Sequence, residues 1–488
     1  MKVFELVKDF EYEVINGDLN REISTLVSDN RKLTKDCVFV CIEGANFDGH
    51  SVVNDAFKCN AAAVIVMKNV EVPKDIDTAV IKVKDTREAL ALASAAYFSY
   101  PTKEIKVIGV TGTKGKTTTT YLIKSILENA GYKVGLIGTI ETIIGDEHVP
   151  SKNTTPESYV LQETFRKMAD NGIEVCVMEA SSQGFLMKRT LGTEFEIGIF
   201  TNLEPDHIGP NEHDSFENYM ECKSMLFRQC KAGLLNADDE HLEGILKGHT
   251  CEVFTYGMSE NADYRASNVK LFEEKGVLGI SFSVNGRINT DVAIDMPGKF
   301  SLYNALTAVS VCSYLGIKED AIKSALKSAK VKGRIEMVPV SDDFTLMIDY
   351  AHNAMALESL LTTLKEYESG RLVCVFGCGG NRAKSRRFEM GEVSGRLADF
   401  TIITSDNPRF EEPLDIIADI VTGIEKTDGE YIKIPDRKEA IKYAIENGRK
   451  GDIIVLAGKG HEDYQEIKGV KYPMDERVLI SEVLEELK

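Results

Sequence analysis

A glycine-rich segment between a predicted strand and a predicted helix is the feature that most limits how this chain can fold. Val110–Thr118 reads VTGTKGKTT and follows the apolar run Ile105–Val110. Gly112 and Gly115 permit a tight turn, after which the amides at the helix start can point at phosphate oxygens. Because Val110 occupies the first position, the spacing is GxxGKT and not the common GxxxxGK[ST]. The segment predicts a nucleotide-binding parallel sheet, but by itself it identifies no reaction.

The polar residues of this loop predict how it would hold a nucleotide. Lys116 would neutralise the β- and γ-phosphates, and the Thr117 hydroxyl would bind Mg²⁺. The guanine-reading NKxD motif is absent from the sequence, which disfavours a GTPase switch. The residues of the loop predicted to bind ATP are Gly112, Thr113, Lys114, Gly115, Lys116, Thr117 and Thr118.

Strands and helices alternate along the chain, which predicts an α/β protein of three domains. Residues 1–101 form a small α/β domain that ends near Tyr100-Pro101, since the residue before proline disfavours helix. Residues 102–331 form the central doubly wound P-loop domain, with an antiparallel annex from about 250 to 297 where apolar residues alternate. Residues 332–488 form a Rossmann-like C-terminal domain. The runs predicted as strands are Cys37–Ile42, Ala61–Met67, Ile105–Val110, Lys133–Thr139, Val175–Glu179, Ile197–Asn202, Leu278–Val284, Leu346–Tyr350, Leu372–Phe376, Phe400–Thr404 and Ile453–Ala457.

Charge and cysteine usage exclude several functional classes. The net charge of −19, from 58 basic and 77 acidic residues, argues against a general nucleic-acid binder. None of the ten cysteines falls in a CxxC pair, and Cys374 and Cys378 lack a second ligand pair, which disfavours zinc. The N-terminus does not read as a signal peptide, and no apolar run of about 18 residues occurs. We therefore expect a cytoplasmic protein without membrane insertion.

Several motifs accompany the P-loop in a fixed order. They are DNR (Asp29–Arg31), MEASSQG (Met178–Gly184), TNLEPDHIG (Thr201–Gly209), DYAHN (Asp349–Asn353) and AGKGHED (Ala457–Asp463). With these motifs the chain resembles the Mur ligases, which build the stem peptide of bacterial peptidoglycan. The resemblance covers nearly the whole chain. It implies that the three domains bind UDP-MurNAc, ATP and an amino acid, in that order.

The resemblance also implies a reaction. ATP phosphorylates the free side-chain carboxylate of D-Glu in UDP-MurNAc-L-Ala-D-Glu, and an amine of the incoming amino acid attacks the acyl phosphate. The tetrahedral intermediate then collapses with release of phosphate. A carboxylate is a poor electrophile until its oxygen becomes a good leaving group, and cations must lie between the two reacting anions. Mg²⁺ is the implied cofactor, and we expect a monomer.

Four residues match catalytic positions of the family. Lys116 lies in the P-loop, Glu179 ends a predicted strand, His207 lies in PDHIG, and Lys223 lies in the predicted helix Phe216–Phe227. The resemblance makes Lys223 a carbamylated lysine, whose carbamate would hold Mg²⁺. A carbamate forms only on a neutral amine, so a lowered lysine pKa would help. The implied metal ligands are Thr117, Glu179, His207 and the carbamate of Lys223.

Further matches concern the two nucleotides and the peptide. Asn304 would face adenine, Arg334 phosphate and Asp349 ribose. Asn30 stands where the family usually has Ser, and Asn can also donate and accept hydrogen bonds. The implied UDP-MurNAc-L-Ala-D-Glu contacts are Ser28, Asn30, Ala45, Asn46, Phe47, Asn153, Thr154, Thr155, Ser181 and Arg189.

The C-terminal domain carries the motif that predicts which amino acid is added. Asp406–Arg409 reads DNPR, which in this family marks enzymes that add meso-diaminopimelate. A guanidinium can bind the second carboxylate of diaminopimelate through paired hydrogen bonds. Without that carboxylate, we expect a buried Arg409 to be left unpaired, which is costly. The implied diaminopimelate contacts are Arg382, Asp406, Asn407, Pro408, Arg409, Gly458 and Glu462.

Three other functions stay open at this stage. The L-lysine-adding ligase is favoured by PDHIGPNEH and by Lys114, which replaces the common Asn of TGTNGKT. Folylpolyglutamate synthetase shares the loop and the carbamylated lysine but lacks DNPR and the N-terminal uridine domain. A regulatory nucleotide-binding protein without turnover would not need the complete set of Mg²⁺ and acceptor residues found in this sequence.

Overall fold

The structure is a computed structural model that describes residues 1–44, 46–209, 212–274, 276–367 and 370–487. The fold is mixed α/β with three domains, as predicted from the sequence. It divides into two compact units, Met1–Ala262 and Asp263–Lys488. Within the described ranges, no helix combines the length and the apolar character needed to cross a bilayer. The domain boundaries at 101 and 331 stay predictions.

The first unit begins with a five-stranded sheet in the order β1-β5-β4-β3-β2, in which only the β1–β5 pair is antiparallel. The central strands are apolar and fully buried, because helices and loops cover both faces. The elements are α1 (Val3–Val7), β1 (Glu13–Asn16), β2 (Leu26–Val27), β3 (Val38–Val40), α2 (Val53–Lys58), β4 (Ala63–Val66), β5 (Ala79–Lys82) and α3 (Thr86–Tyr97), with 3₁₀ helices at Asn30–Lys32, Gly49–Val52 and Pro101–Lys103.

A larger sheet follows in the same unit, in the order β13-β12-β11-β6-β10-β7-β8-β9. The strands from β13 to β7 are parallel, and β8 and β9 form an antiparallel edge. The elements are β6 (Lys106–Thr111), α4 (Lys116–Asn129), β7 (Val134–Ile137), β8 (Glu141–Ile144), β9 (Glu147–Pro150), α5 (Ser158–Asp170), β10 (Val175–Glu179), α6 (Ser182–Leu186), β11 (Phe195–Phe200), α7 (Phe216–Ser224), a 3₁₀ turn (Met225–Arg228), β12 (Cys230–Asn236), α8 (Leu242–Ile245) and β13 (Glu252–Gly257).

The register of this sheet brings the ends of neighbouring strands together. Glu179 of β10 pairs with Val110 of β6, and Phe200 of β11 pairs with Thr111. Because these strands are parallel, the loops at their carboxyl ends meet at one edge of the sheet, where doubly wound proteins bind ligands. The P-loop therefore starts at the centre of this edge.

The second unit contains a three-stranded antiparallel sheet and a six-stranded sheet in the order β17-β18-β22-β19-β20-β21, parallel except for β17. The elements are β14 (Tyr264–Glu274), β15 (Val277–Gly286), β16 (Thr290–Ile294), α9 (Lys299–Tyr314), α10 (Glu319–Ser328), β17 (Glu336–Val338), β18 (Thr345–Asp349), α11 (Ala354–Leu364), β19 (Leu372–Phe376), α12 (Ser385–Leu397), β20 (Phe400–Ile403), α13 (Pro413–Ile424), β21 (Tyr431–Lys433), α14 (Arg437–Glu446), β22 (Ile453–Ala457), β23 (Tyr464–Ile467), β24 (Val470–Pro473) and α15 (Glu476–Glu486).

Strands buried on both faces agree best with the sequence-based prediction. Val175–Glu179, Leu372–Phe376 and Ile453–Ala457 match β10, β19 and β22 residue for residue. The run Cys37–Ile42 is longer than β3, because its flanking residues Cys37 and Cys41 are buried without continuing the strand. An apolar run in the sequence therefore predicts that a strand exists better than it predicts where the strand ends.

Two predictions are wrong in detail. The antiparallel annex does not begin near 250, because β13 pairs in parallel with β12. Residues of β13 alternate between more and less buried positions, and this alternation resembles that of an antiparallel strand. The helix predicted for Phe216–Phe227 ends at Ser224 and continues as a 3₁₀ turn.

Gly112 gives a test of the P-loop geometry. It has φ +147°, and a Cβ atom at this residue would lie 1.9 Å from Thr201 Oγ1. We expect Gly112→Ala to lower the free energy of unfolding by about 2 kcal/mol or more in urea titrations, since it adds a clash to backbone strain. Gly131→Ala is the control, because φ is +93° there but no heavy atom lies within 4 Å. Equal losses in the two variants would contradict the clash.

Candidate active site

The P-loop is held from both sides. The Lys116 ammonium donates hydrogen bonds to the carbonyls of Gly112, at 2.8 Å, and Thr113, at 3.1 Å. Residues after β11 hold the middle of the loop, since Asn202 Oδ1 accepts from the Lys114 amide and Thr201 Oγ1 donates to the Lys114 carbonyl. α4 begins at Lys116, and the amides of a first helical turn can donate to an anion such as phosphate.

Glu179 lies at the centre of the carboxyl edge and is almost completely buried. Its Oε1 accepts from Thr117 Oγ1 at 2.9 Å and from the Thr139 amide at 2.8 Å. Its Oε2 accepts from Thr139 Oγ1 at 3.0 Å. The structure thus brings together Thr117 and Glu179, two of the predicted metal ligands.

Lys223 of α7 approaches the same loop and is only 1% exposed. Its Nζ donates to the Gly112 carbonyl at 2.7 Å and lies 4.4 Å from the centroid of the Tyr219 ring. Burial, and next the positive charge of Lys116, lower the pKa of Lys223 well below its usual value. This lowered pKa favours the neutral amine that a carbamate requires.

His207 lies on an exposed loop near this cluster. Its ring centroid is 6.2 Å from that of Tyr219, whose hydroxyl is within 3.1 Å of Thr113 Oγ1. His207 has φ +54°, and its Nδ1 is 3.2 Å from Glu212 Oε1. No hydrogen bond links His207 to Glu179 in the part of the chain that the structure describes, which leaves out residues 210 and 211. The structure brings His207 near the loop but not into direct contact with the other predicted ligands.

The segment Asn153–Thr155 lies beside Glu179. Thr155 Oγ1 donates to the Glu179 carbonyl at 2.9 Å and accepts from the Ser181 amide at 2.9 Å. Arg189 Nη1 donates to the Thr155 carbonyl at 3.1 Å. Asn153 is exposed, and Thr154 Oγ1 is 3.0 Å from Thr139 Oγ1. The predicted peptide-binding residues therefore form one cluster with the Glu179 site.

The predicted uridine-binding residues lie on loops of the five-stranded sheet. Ser28 follows β2 and is exposed, and Asn30 begins a 3₁₀ helix that the Asp29 side chain caps. Phe47 is 53% exposed. Asn46 lies beside it in the same loop. Ala45 lies outside the described residues.

In the second unit, two of the three predicted ATP-binding residues lie close together. Asp349 ends β18 and accepts hydrogen bonds from the Ile335 and Ala351 amides, both at 2.8 Å. Burial raises the pKa of Asp349. The Arg334 guanidinium lies 4.8 Å from the Tyr350 ring centroid, a cation–π distance. Asn304 is buried on α9. Arg334 and Asp349 are thus neighbours at the carboxyl end of β18.

Two loops at the carboxyl ends of β20 and β22 carry most of the predicted amino-acid contacts. Asn407 Nδ2 donates to Glu462 Oε2 at 2.9 Å, which joins the two loops. Asp406 and Pro408 are buried beside Asn407. Gly458 has φ +110°, and a Cβ there would lie 3.1 Å from Asp406 Oδ2. Apart from Arg382, the predicted set therefore forms a compact cluster. Its buried members are Asp406, Asn407, Pro408 and Gly458.

The expectation that Arg409 would be unpaired without a ligand is wrong. Its Nε donates to Glu466 Oε2 at 3.1 Å, and its Nη1 donates to the Gly380 carbonyl at 2.7 Å. Arg409 has φ +53°, and its side chain is 23% exposed. Glu466 thus orients the guanidinium and balances its charge, while the exposed fraction leaves it accessible. Arg382 is exposed, and its side chain makes no hydrogen bond or ion pair with the described residues.

Sequence reasoning missed the residues that support this cluster. Lys459 and Glu466 contact Asn407, and Gln465 Nε2 donates to the Asp406 carbonyl at 2.7 Å. Arg437 is buried against Glu476 and donates to the Ala457 carbonyl at 3.0 Å. Lys459 lies inside the motif AGKGHED, which could have identified it. No local signal marks Arg437, Gln465 or Glu466.

A metal ion beside the P-loop would need a suitable set of ligand atoms. Among the described residues, no group of three or more His, Cys, Asp or Glu side chains is arranged to hold a metal. Mg²⁺ prefers hard oxygen ligands and usually keeps several waters, so it needs few protein ligands. The Thr117 hydroxyl and the Glu179 carboxylate beside the P-loop fit these needs.

Comparisons with known proteins agree with this geometry. Family models described as Mur ligase family, catalytic domain, Mur ligase middle domain, and Mur ligase, glutamate ligase domain match residues 22–98, 110–312 and 333–460. The chain belongs to the Mur ligase family. Its three matched segments carry, in order, the DNR motif, the P-loop and the DNPR motif of this Mur ligase.

Individual relatives share the full length of this Mur ligase. It is 44% identical to UDP-N-acetylmuramoyl-L-alanyl-D-glutamate–2,6-diaminopimelate ligase 1 of Clostridium acetobutylicum, with 100% of both chains covered. It is 43% identical to the ligase of that name, without the number, from Clostridium perfringens, over 98% of this chain and 99% of the relative. A solved structure titled as the same kind of ligase has a TM-score of 0.75 and 28% identity, covering 100% of this chain and 99% of that one.

Burial of Lys223 predicts a pH dependence of stability. Because its pKa is lowered on folding, the unfolded chain binds a proton that the folded chain lacks, between that lowered pKa and the usual value of 10.5. The free energy of unfolding should therefore rise with pH in this window, by at most about 1.4 kcal/mol per pH unit. In CO₂-free buffer, we expect Lys223→Met to lose this slope in urea titrations. Lys106→Met, at an exposed lysine of β6, should keep it, and equal slopes in all three proteins would contradict the assignment.

Proposed function

We propose that the chain adds meso-diaminopimelate to the D-Glu side-chain carboxylate of UDP-MurNAc-L-Ala-D-Glu, with ATP as the phosphoryl donor. The observation that carries the proposal is full-length identity of 44% to a ligase with this name. The DNPR loop, with an accessible and oriented Arg409, supports diaminopimelate over L-lysine. Residues 1–101 would bind the UDP-sugar, residues 102–331 ATP, and residues 332–488 the amino acid. The protein would act as a cytoplasmic monomer.

The P-loop would bind the ATP phosphates. The Lys116 ammonium, which lies over the Gly112 and Thr113 carbonyls, can turn towards the β- and γ-phosphate oxygens. The amides at the start of α4 would donate to the same oxygens. Asn304, Arg334 and Asp349 would contact adenine, phosphate and ribose, respectively. The P-loop contacts would fix the γ-phosphate for in-line transfer.

The peptide would bind beside Glu179. Asn153, Thr154 and Thr155 lie next to this carboxylate, and Arg189 donates to the Thr155 carbonyl. A guanidinium at this position can also hold a substrate carboxylate through charge-assisted hydrogen bonds. The uridine end would contact Ser28, Asn30 and the exposed Phe47 loop. The acceptor carboxylate and the P-loop would thus meet at one sheet edge.

Thr117, Glu179, His207 and a carbamate on Lys223 would hold Mg²⁺. Bound Mg²⁺ would neutralise the negative charges of the γ-phosphate and the acceptor carboxylate, which otherwise repel each other. Lys223 would contribute an anion once its amine has bound CO₂, because burial lowers the pKa of the amine and so favours the neutral form that reacts. The 2.7 Å hydrogen bond to the Gly112 carbonyl would be lost or shared on carbamylation.

The amino acid would bind between the loops after β20 and β22. Arg409, oriented by Glu466, would pair with the distal carboxylate of diaminopimelate, and Arg382 would contact the same ligand. Glu462 would accept from an ammonium group of the amino acid. A second, unprotonated amine would then attack the acyl phosphate, form the amide bond and release phosphate.

A turnover assay tests this function. Phosphate release from ATP should require UDP-MurNAc-L-Ala-D-Glu and an amino acid together, with meso-diaminopimelate giving a kcat/KM at least about tenfold above that of L-lysine, as one lost charged contact predicts. Preference for L-lysine would contradict the amino-acid assignment. Release without an amino acid, or with folate substrates only, would contradict the reaction.

Arg409→Ala tests the distal carboxylate contact. We expect the KM for meso-diaminopimelate to rise at least about tenfold, because a charge-assisted pair is lost, while the KM for ATP changes little. Arg396→Ala is the matched control, since Arg396 is a half-exposed arginine of α12 that pairs with Glu358. An unchanged KM for diaminopimelate in Arg409→Ala would refute this contact.

Lys223→Ala tests the carbamate. The variant should be inactive, because no group remains to carry the anion, and added short carboxylic acids should restore part of the activity by occupying the space left. Lys106→Ala serves as the control and should respond to neither change. A fully active Lys223→Ala enzyme would remove the carbamate from the mechanism.

A further inference from the structure

Lys459 is a completely buried lysine directly after β22 that the proposed mechanism does not use. Its ammonium donates to Asn407 Oδ1 at 3.0 Å, to Glu462 Oε2 at 2.7 Å and to the Tyr464 carbonyl at 2.5 Å. A lysine ammonium has three protons, and all three are used. A buried charge is stable only when it is paired in this way. Lys459 therefore joins the loop after β20 to the loop after β22 and to the start of β23.

The ammonium fixes the orientation of the Asn407 side chain. Asn407 Oδ1 accepts from Lys459 and from the Glu466 amide at 2.9 Å, while Nδ2 donates to Glu462 Oε2. A flipped amide would place its NH₂ group against the ammonium and lose both acceptor contacts. Asn407 can thus adopt only one of its two amide orientations.

The same contacts leave one oxygen of Glu462 available. Oε2 accepts from both Lys459 and Asn407, whereas Oε1 makes no hydrogen bond with the described residues. The Glu462 side chain is 17% exposed, so Oε1 can be reached from the surface. Lys459 thus holds the carboxylate by one oxygen and leaves the other for a ligand.

We infer that Lys459 is a positioning residue that aims Glu462 Oε1 at the ammonium group of the incoming amino acid. This inference rests on the proposed function, since it needs Glu462 to contact that ammonium. Lys459 acts through Glu462 and Asn407 and does not touch the substrate. A lysine that merely filled the core would affect folding and all substrates alike.

Kinetics of variants separate these roles. In Lys459→Met, the KM for meso-diaminopimelate should rise about tenfold, as loss of a charged hydrogen bond predicts, while the KM values for ATP and the UDP-dipeptide stay within about twofold. The double variant Lys459→Met/Glu462→Gln should be no worse than Glu462→Gln alone, because both changes remove one contact. Lys471→Met is the control, since the exposed Lys471 ammonium lies 3.7 Å from the ring centroid of the same Tyr464.

A second substitution of Lys459 and a wild-type assay with two amino acids complete this test. Lys459→Gln keeps a hydrogen-bond donor without the charge, and its double variant with Glu462→Gln supplies the comparison if Lys459→Met does not fold. Additive losses, an unchanged KM for the amino acid, or equal rises in all three KM values would overturn the inference. The wild type is assayed first with meso-diaminopimelate and L-lysine, and the variants with whichever it uses. A wild type that uses neither would overturn the proposed function, and the inference with it.

Discussion

The active site depends on one buried carboxylate, Glu179 at the end of β10. Its side chain fixes Thr117 of the P-loop and Thr139 after β7, and its main-chain carbonyl fixes Thr155. Three segments that are separated in sequence thus share one anchor at the carboxyl edge of the parallel sheet. A carboxylate that contacts both the P-loop and the segment Asn153–Thr155 can set the distance between them.

Buried lysines organise both units, in two different ways. Lys223 has one carbonyl partner among the described residues and lies near another cation, so burial favours its neutral amine, the form that the proposed carbamate needs. Lys459 has three acceptors, among them a carboxylate, and holds loops in place. The number and charge of the partners decide whether a buried lysine is chemically reactive or structural.

The sequence predicts those features that depend on local patterns. The strand, glycine turn and helix around Gly112 are contiguous, so the sequence alone predicts where this turn lies. Buried strands such as β10 follow from apolar runs. Contacts between distant residues could not be predicted. Glu466 lies 57 positions from Arg409, and Lys459 lies 52 positions from Asn407. The ion pair of Arg409 with Glu466 therefore leaves no local signal in the sequence.

At this sheet edge the ATP γ-phosphate would meet a substrate carboxylate, as we propose. Transfer of an oxygen isotope between the two tests this proposal. UDP-MurNAc-L-Ala-D-Glu labelled with ¹⁸O in both oxygens of the D-Glu side-chain carboxylate is turned over with ATP and meso-diaminopimelate, and the released phosphate is analysed by ³¹P NMR or mass spectrometry. An acyl phosphate predicts one ¹⁸O atom in each phosphate formed. Phosphate that carries no label, in reactions that do form the amide, would rule out an acyl phosphate intermediate.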